Sequence, residues 1–361
     1  MDLDFLRPLY QHTGGHVSVY LDTSREHEGS AHQVGLRWRA ARERLASAGA
    51  DKPTLDAVGA VFASPGAVPG RAVFGHRGAV LLTEALPAAP RREIARLAPL
   101  PHAMPLLAQR APHVPHVRVE ARHDGGEVLP VSASGPLADE QVTGTGWPVH
   151  KTAAGGWSQL RYQRSTEEAW ETNAKELAER VTAAAREVGA ELIAVAGDPV
   201  ARTLLVRQLP SDLAARTVLI EREVSAESDA AARAADQAVA DYVAGRSRER
   251  FEHWRTQQAH GHGVAGLAAT MAAFRDSAVA DLLLVDHPES TFTACVGPAP
   301  ADLASSAAEL ADRGVTGPVT DRADAALARA AAMTSAQLYF LPDPGAAPAD
   351  GICALLRFPE S

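Results

Sequence analysis

Between His150 and Arg164 the chain carries three cations, Lys151, Arg161 and Arg164, and no acid. They surround the run Gly155-Gly156-Trp157-Ser158-Gln159-Leu160-Arg161-Tyr162-Gln163-Arg164. Paired glycines lack two Cβ atoms and reach positive φ, so the backbone there can come close to a ligand. Guanidinium and ammonium groups without a neighbouring carboxylate suit a polyanion. Trp157 and Tyr162 add flat rings on which a nucleotide base can stack. The candidate RNA-contact residues are therefore His150, Lys151, Gly155, Gly156, Trp157, Ser158, Gln159, Arg161, Tyr162 and Arg164. Plainer readings compete with this one. The run could be an ordinary surface loop before a helix. Trp157 could pack on its own domain, and Arg164 could pair with Glu167 or Glu168, three and four residues on.

Other chemistry-bearing patterns lead to less. Gly261-x-Gly263-x-x-Gly266 matches the dinucleotide string, but a charged helical stretch precedes it and no strand does. His253, His260 and His262 match no standard zinc spacing. Ser158 lies in no Gly-x-Ser-x-Gly elbow. Asp198, just after an apolar strand, is expected to cap the next helix. No metal and no cofactor is expected.

The order Gly-Gly-x-Ser-x-Leu-Arg-aromatic-x-Arg, ahead of a long amphipathic stretch, resembles the middle domain of archaeo-eukaryotic peptide release factors and Pelota-type rescue factors. It is similar in particular to their bacterial relatives, the actinobacterial Balon-like ribosome hibernation factors. Farther on, Gly261–Leu267, through Ala273, to Val279–Val285 resembles the start of the release-factor third domain, and Gly351–Phe358 its terminal strand. In the first domain the likeness rests on Val17–Leu21, and stop-codon motifs are not visible. In release factors the loop reads Gly-Gly-Gln, and the glutamine helps a water attack the ester of peptidyl-tRNA. Here Trp157 stands in its place. The Trp157 indole N–H only donates, and its bulk crowds water from a tight site. The amide of Gln159, two positions on, falls on another side of the chain. Peptide release is therefore expected to be weakened or absent, with no catalytic residue assigned.

These residues need a scaffold. Residues 1–113 read as a mixed α/β N-terminal domain: a short helix Leu3–Leu9, a strand His16–Asp22, helices Ser30–Ala48 and Leu55–Ala63, and a hairpin around Gly75–Gly78. The arginines of the second of these helices, Arg37, Arg39, Arg42 and Arg44, read as a solvated face rather than an RNA contact. Pro87–Pro115 is proline-rich and is expected to break regular structure.

Residues 114–224 read as a release-factor-like middle domain. It has a hairpin at Val117–Ala121 and Val128–Val131, a polar linker Ser132–Gly146, the exposed Gly-Gly loop and a long helix. Trp170, Ala174, Leu177, Val181, Ala184 and Val188 recur at helical spacing. Ser165-x-x-Glu168 suits a capping box that would start this helix at Thr166, whereas the resemblance starts it near Ser158, and the earlier start is expected. A strand Glu191–Ala196, a helix to Gln208 and a strand Val218–Ile220 complete a mixed sheet. Residues 225–361 read as a three-layer α/β/α C-terminal domain. Its expected helices are Ser228–Val243, Glu249–Gln257, Ala265–Ser277, Asp302–Arg313 and Asp321–Met333, and its last strand is Ile352–Phe358.

Composition narrows the function. With 46% apolar residues the chain is globular, and its net charge of −9 argues against a general nucleic-acid coat and against DNA as a partner. No apolar run is long enough to span a bilayer and the start lacks a signal peptide, so no membrane partner and a cytoplasmic location are expected. Cys295 and Cys353 lie in apolar stretches and are expected in the core. Together with the resemblance, the reading is a non-catalytic ribosome-binding factor. It would occupy the A site in dormancy or stress, contact ribosomal RNA and engage elongation factor Tu. The rival readings are a peptidyl-tRNA hydrolase or rescue factor, and a small-molecule α/β enzyme.

Overall fold

The strand His16–Asp22 forms with the expected bounds, and both of its faces are buried. In the computed structural model it lies inside a four-stranded antiparallel sheet, between Gly70–His76 and Ile94–Ala98, with Ala79–Leu86 at the edge. The model describes residues 1–24, 30–64, 66, 68–111, 114–132, 135–143, 156–220, 228–341 and 348–359. Of 30–31, 136, 156–167, 228–231 and 349 it describes the backbone alone. Because side chains alternate along a strand, this one feeds two cores. Val17, Val19 and Leu21 pack with Val34, Leu45, Val58 and Phe62 from the helices Ser30–Ser47 and Lys52–Ala63. Tyr20 points the other way, edge-on to Phe74, among Leu6, Leu9, Leu106 and Leu107. Its hydroxyl donates to His102 O at 2.7 Å, and Ser18 Oγ accepts from His102 N at 3.0 Å.

The proline-rich stretch is more ordered than expected. It contains the strand Ile94–Ala98 and the helix Met104–Arg110. The prolines fall where a missing N–H costs little: Pro90 and Pro99 flank the strand, and Pro105 lies in the first helical turn.

A second sheet runs Gly263–Ala265, Ile352–Leu356, Val279–Leu284, Gln337–Phe340. Leu282, Leu338 and Ala354 face Phe274 and Leu327 of the helices Leu267–Arg275 and Ala323–Thr334. Leu283, Tyr339 and Cys353 face Phe251 and Trp254 on the other side, which makes three layers. A small sheet of Leu303–Ala304, Thr293–Val296 and Val319–Arg322 adjoins. Leu3, Leu6 and Leu107 from the start of the chain share one core with Phe274, Leu327 and Leu338 from its end. Residues 1–111 and 244–361 thus form one unit and 112–243 another. Two helix expectations change. Ser228–Val243 and Glu249–Gln257 are parts of one helix, Ser228–Gln258, because Gly245 between them weakens a helix without ending it. Asp302–Arg313 shrinks to Ala307–Ala311, since Leu303–Ala304 pairs as a strand and the Ser306 side chain caps the helix behind it.

The unit 112–243 has a mixed sheet, ordered Thr217–Leu219, Leu192–Gly197, His116–Arg122, Gly125–Ser132, Gly135–Pro136. The first three strands are parallel and the rest antiparallel. The supposed linker supplies strands, with Glu140–Thr143 also pairing to Gly125–Ser132. On one face Val117, Val119, Ile193 and Val195 pack under Leu177, Val181 and Leu205, from the helices Gly156–Val188 and Pro199–Gln208. The other face buries Ala194 and Ala196 against Ala235, and Leu192 against Val239.

Candidate functional site

The helix that carries the candidate segment begins at Gly156 and runs 33 residues to Val188. It starts two residues before Ser158 and continues through Ser165, so the capping box does not open it. Between Gly156 and Ser165 there is no β-branched residue, and Leu, Gln and Arg are good helix formers. His150, Lys151 and Gly155 lie outside the described residues. For Gly156, Trp157, Ser158, Gln159, Arg161, Tyr162 and Arg164 the backbone is helical, and their side chains, with the competing contacts of Trp157 and Arg164, lie outside the description. By helical spacing, positions 157, 161 and 164 recur along one stripe.

What holds this helix is a cluster that sequence reading missed. The turn after His116–Arg122 places the His123 ring against Trp170, with centroids 3.9 Å apart and planes at 24°. One turn on, Asn173 Nδ2 donates to His123 O at 2.9 Å. His123 Nε2 lies 3.2 Å from Asp198 Oδ1. Asp198 caps the helix Pro199–Gln208 as expected, accepting from Val200 N at 2.8 Å and Ala201 N at 3.0 Å. Burial works to raise the Asp198 carboxyl pKa, but these N–H groups and His123 outweigh it, and the net shift is downward. Arg180, two turns past Asn173, pairs with Glu140 on the edge strand. At about 1.5 Å per residue, Gly156 lies roughly 20 Å along the helix from the Trp170 anchor.

The cluster rests on a close backbone approach. Gly197 has φ +108, and a Cβ there would fall on the Ala121 carbonyl oxygen. Asp198 N donates to that same oxygen at 2.9 Å. Trp170 was legible as the first member of an apolar helix face, but its partner is the imidazole. Ala174, Leu177, Val181 and Ala184 do enter the core. Among the described residues, His123 Nδ1, Trp170 Nε1 and Asn173 Oδ1 are buried with no partner.

The other candidates resolve structurally. Gly263 lies where a Cβ would meet the Trp254 indole at 3.0 Å, and Trp254 Nε1 donates to Val264 O at 3.1 Å. The glycines that mimic a nucleotide fingerprint therefore belong to a packed strand, Gly263–Ala265, and a helix start. Arg37 pairs with Asp22 and Glu93 at 3.0 Å each, and Arg42 with Asp56 at 2.7 Å. Arg39 and Arg44 are exposed. Cys295 and Cys353 are buried and free, and burial pushes the Cys353 thiol up to about 12. Among the described residues no group of three or more His, Cys, Asp or Glu side chains is placed to hold a metal ion. No helix among them is long and apolar enough to cross a membrane.

Residues 115–260, which include this helix and its anchor, match the model of bacterial archaeo-eukaryotic release factor family 2. Over this segment the chain is thus similar to the release factor/Pelota-like proteins, in agreement with the resemblance read from the Gly-Gly run. The uncharacterized proteins MT2704 and Rv2629 of Mycobacterium tuberculosis are 29% identical to it over 362 residues, covering 98% of this chain and 96% of each relative. Among solved structures, the archaeal termination factor aRF1 is 15% identical with a TM-score of 0.26, covering 98% of this chain and 96% of that chain. Archaeoglobus fulgidus Pelota is 14% identical with a TM-score of 0.32, covering 99% and 91%.

Proposed function

We propose that this protein is a ribosome-binding factor that occupies the A site without releasing the nascent peptide, as a hibernation or stress factor of the cytoplasm. In this reading the three sequence stretches take different roles, the first and most of the third from within one shared-core unit. Residues 1–113 face the decoding centre, 114–224 deliver Gly155–Arg164 toward the peptidyl-transferase centre, and 225–361 engage elongation factor Tu. The observation that carries the reading is the helix beginning at Gly156, within a segment that matches the release-factor family model. The sequence resemblance puts Trp157 where the family has its glutamine. The first N–H groups of a helix lack intrahelical partners and carry partial positive charge, which suits contact with phosphate oxygens. Trp157 keeps that backbone but substitutes a stacking ring for a water-positioning amide.

The test is co-sedimentation of the protein with ribosomes from starved cells. Stable association is expected at low and moderate salt, weakening as salt rises. Trp157→Ala is expected to weaken it about tenfold, the loss of one base-stacking contact of roughly 1–3 kcal/mol. Absence from the ribosomal fractions at both salts would overturn the reading. Release of a labelled peptide from stalled ribosomes, abolished by Gly156→Ala, would replace it with a rescue hydrolase.

A further inference from the structure

A cavity of about 610 Å³ opens within the unit formed by 1–111 and 244–361, well away in sequence from the Gly-Gly segment. Tyr10, His16, Leu97, Val296, Val319 and Arg329 are among the residues that line it. Its walls are largely aliphatic, which makes the buried polar side chains Tyr10, His16 and Arg329 informative; His12 and Thr13 also line it.

Arg329 is buried, and its guanidinium donates to Gly297 O at 2.9 Å and to Pro298 O at 2.5 Å. Among the described residues no carboxylate lies within ion-pair distance of it. A buried cation held only by neutral carbonyls keeps its full charge, and an anion is the partner that offsets it. Burial shifts its pKa downward, as for a cation taken out of water. The Tyr10 hydroxyl is buried with no partner. His16 is also buried, and its Nδ1 donates to Pro99 O at 3.0 Å. That bond sets the tautomer, so Nε2 carries a lone pair, and it too is buried with no partner. The ring is held by stacking on His76 at 4.6 Å, and His76 Nδ1 donates in turn to Gly15 O at 2.9 Å. One cavity thus presents a cation that feels Asp302 but has no carboxylate within ion-pair distance, an unpaired hydroxyl and an unpaired acceptor, in a largely apolar lining.

We propose that the cavity is a binding site for a small organic acid. Its carboxylate lies on Arg329 and the Tyr10 hydroxyl, its apolar body between Leu97, Val296 and Val319, and a hydroxyl or amine on it donates to His16 Nε2. The site is independent of the ribosome reading, and either can fail without the other.

The experiment is titration calorimetry of the full chain with 4-hydroxybenzoate, benzoate, acetate and inorganic phosphate. Saturable one-site binding of 4-hydroxybenzoate is expected. Benzoate, which lacks the donor to His16, should bind about tenfold more weakly, the equivalent of one hydrogen bond. Tyr10→Phe removes one oxygen with little change in packing and should weaken both aromatic acids about tenfold. Arg329→Gln should abolish binding; if that variant does not fold, Tyr10→Phe and the ratio of the two aromatic acids carry the test. Lack of saturable binding by all four compounds would overturn the proposal. So would phosphate binding as tightly as the aromatic acids, or aromatic-acid affinities that Tyr10→Phe leaves unchanged.

Discussion

The two units bury polar groups in different ways. In 112–243 the polar contacts around the candidate helix gather at the carboxyl ends of two parallel strands, where His123, Asn173 and Asp198 meet. The core beneath is apolar, and what it demands is close backbone approach, as at Gly197. The other unit carries charge into its interior. Both buried carboxylates among the described residues, Asp281 and Asp321, lie there, together with Arg329 and the imidazoles His16, His76 and His102, whereas 112–243 buries Arg202 and His116. Asp321 is fully buried. It pairs with Arg96 and accepts from Leu100 N at 2.8 Å and Arg322 N at 2.7 Å, tying the start of the chain to its end. The unit of 1–111 and 244–361 should therefore respond to lost charge partners and to acid, and 112–243 to steric crowding.

The largest effect should come from breaking that tie. Asp321→Ala leaves Arg96 without its carboxylate and strands the Leu100 N–H, at a cost of about 3–5 kcal/mol. Urea unfolding measures it, and a loss below about 1 kcal/mol would erase the contrast between the units.

Acid comes next. Burial is the leading cause that lowers the His102 pKa from 6.5 to about 4, and it lowers that of His16 as well. The folded state therefore prefers the neutral ring. His102's contribution is fully present above pH 6.5 and is lost as pH falls toward 4, because the unfolded chain takes up the proton first. The loss across that window is roughly 3 kcal/mol. Melting temperatures between pH 7 and 4 should fall less steeply in His102→Asn, and an unchanged slope would assign the acid sensitivity elsewhere.

Two changes probe the other unit. Gly197→Ala forces a side chain into φ +108 and into the Ala121 backbone, which cannot move aside as a side chain would. The cost is about 2–3 kcal/mol by chemical denaturation, and it should not vary with pH over the same range. The smallest effect belongs to Asp198→Ala, which removes a helix cap worth about 1 kcal/mol. Asp198→Asn keeps the cap, so a similar loss in both variants would show that the contact with His123 matters more than the cap.

The structure also separates what each kind of information could see. The alternation of Val17, Val19 and Leu21, the period of Ala174, Leu177 and Val181 and the Asp198 cap were legible because each is a local rule about one strand, face or terminus. The order Gly155-Gly156-Trp157 placed the middle segment among release-factor-like proteins, and the early helix start followed from it. The proline-rich strand Ile94–Ala98 was missed because its order comes from its neighbour, His16–Asp22, and from Asp321, more than two hundred residues away along the chain. The stretches Ser228–Val243 and Glu249–Gln257 join into one helix because Gly245 weakens a helix only modestly, and the surrounding packing decides the rest.

By itself, then, the sequence determined the locally patterned elements and the likeness of the middle segment to release factors, with Trp157 where that likeness expects a glutamine. Only the tertiary structure decided that His123 anchors the Trp170 turn, that the two ends of the chain share one core, and that Tyr10, His16 and Arg329 line one cavity. The reason is separation. Periodicity and capping act over a few residues, whereas buried polar partners are chosen by whatever the folded chain brings within hydrogen-bonding reach.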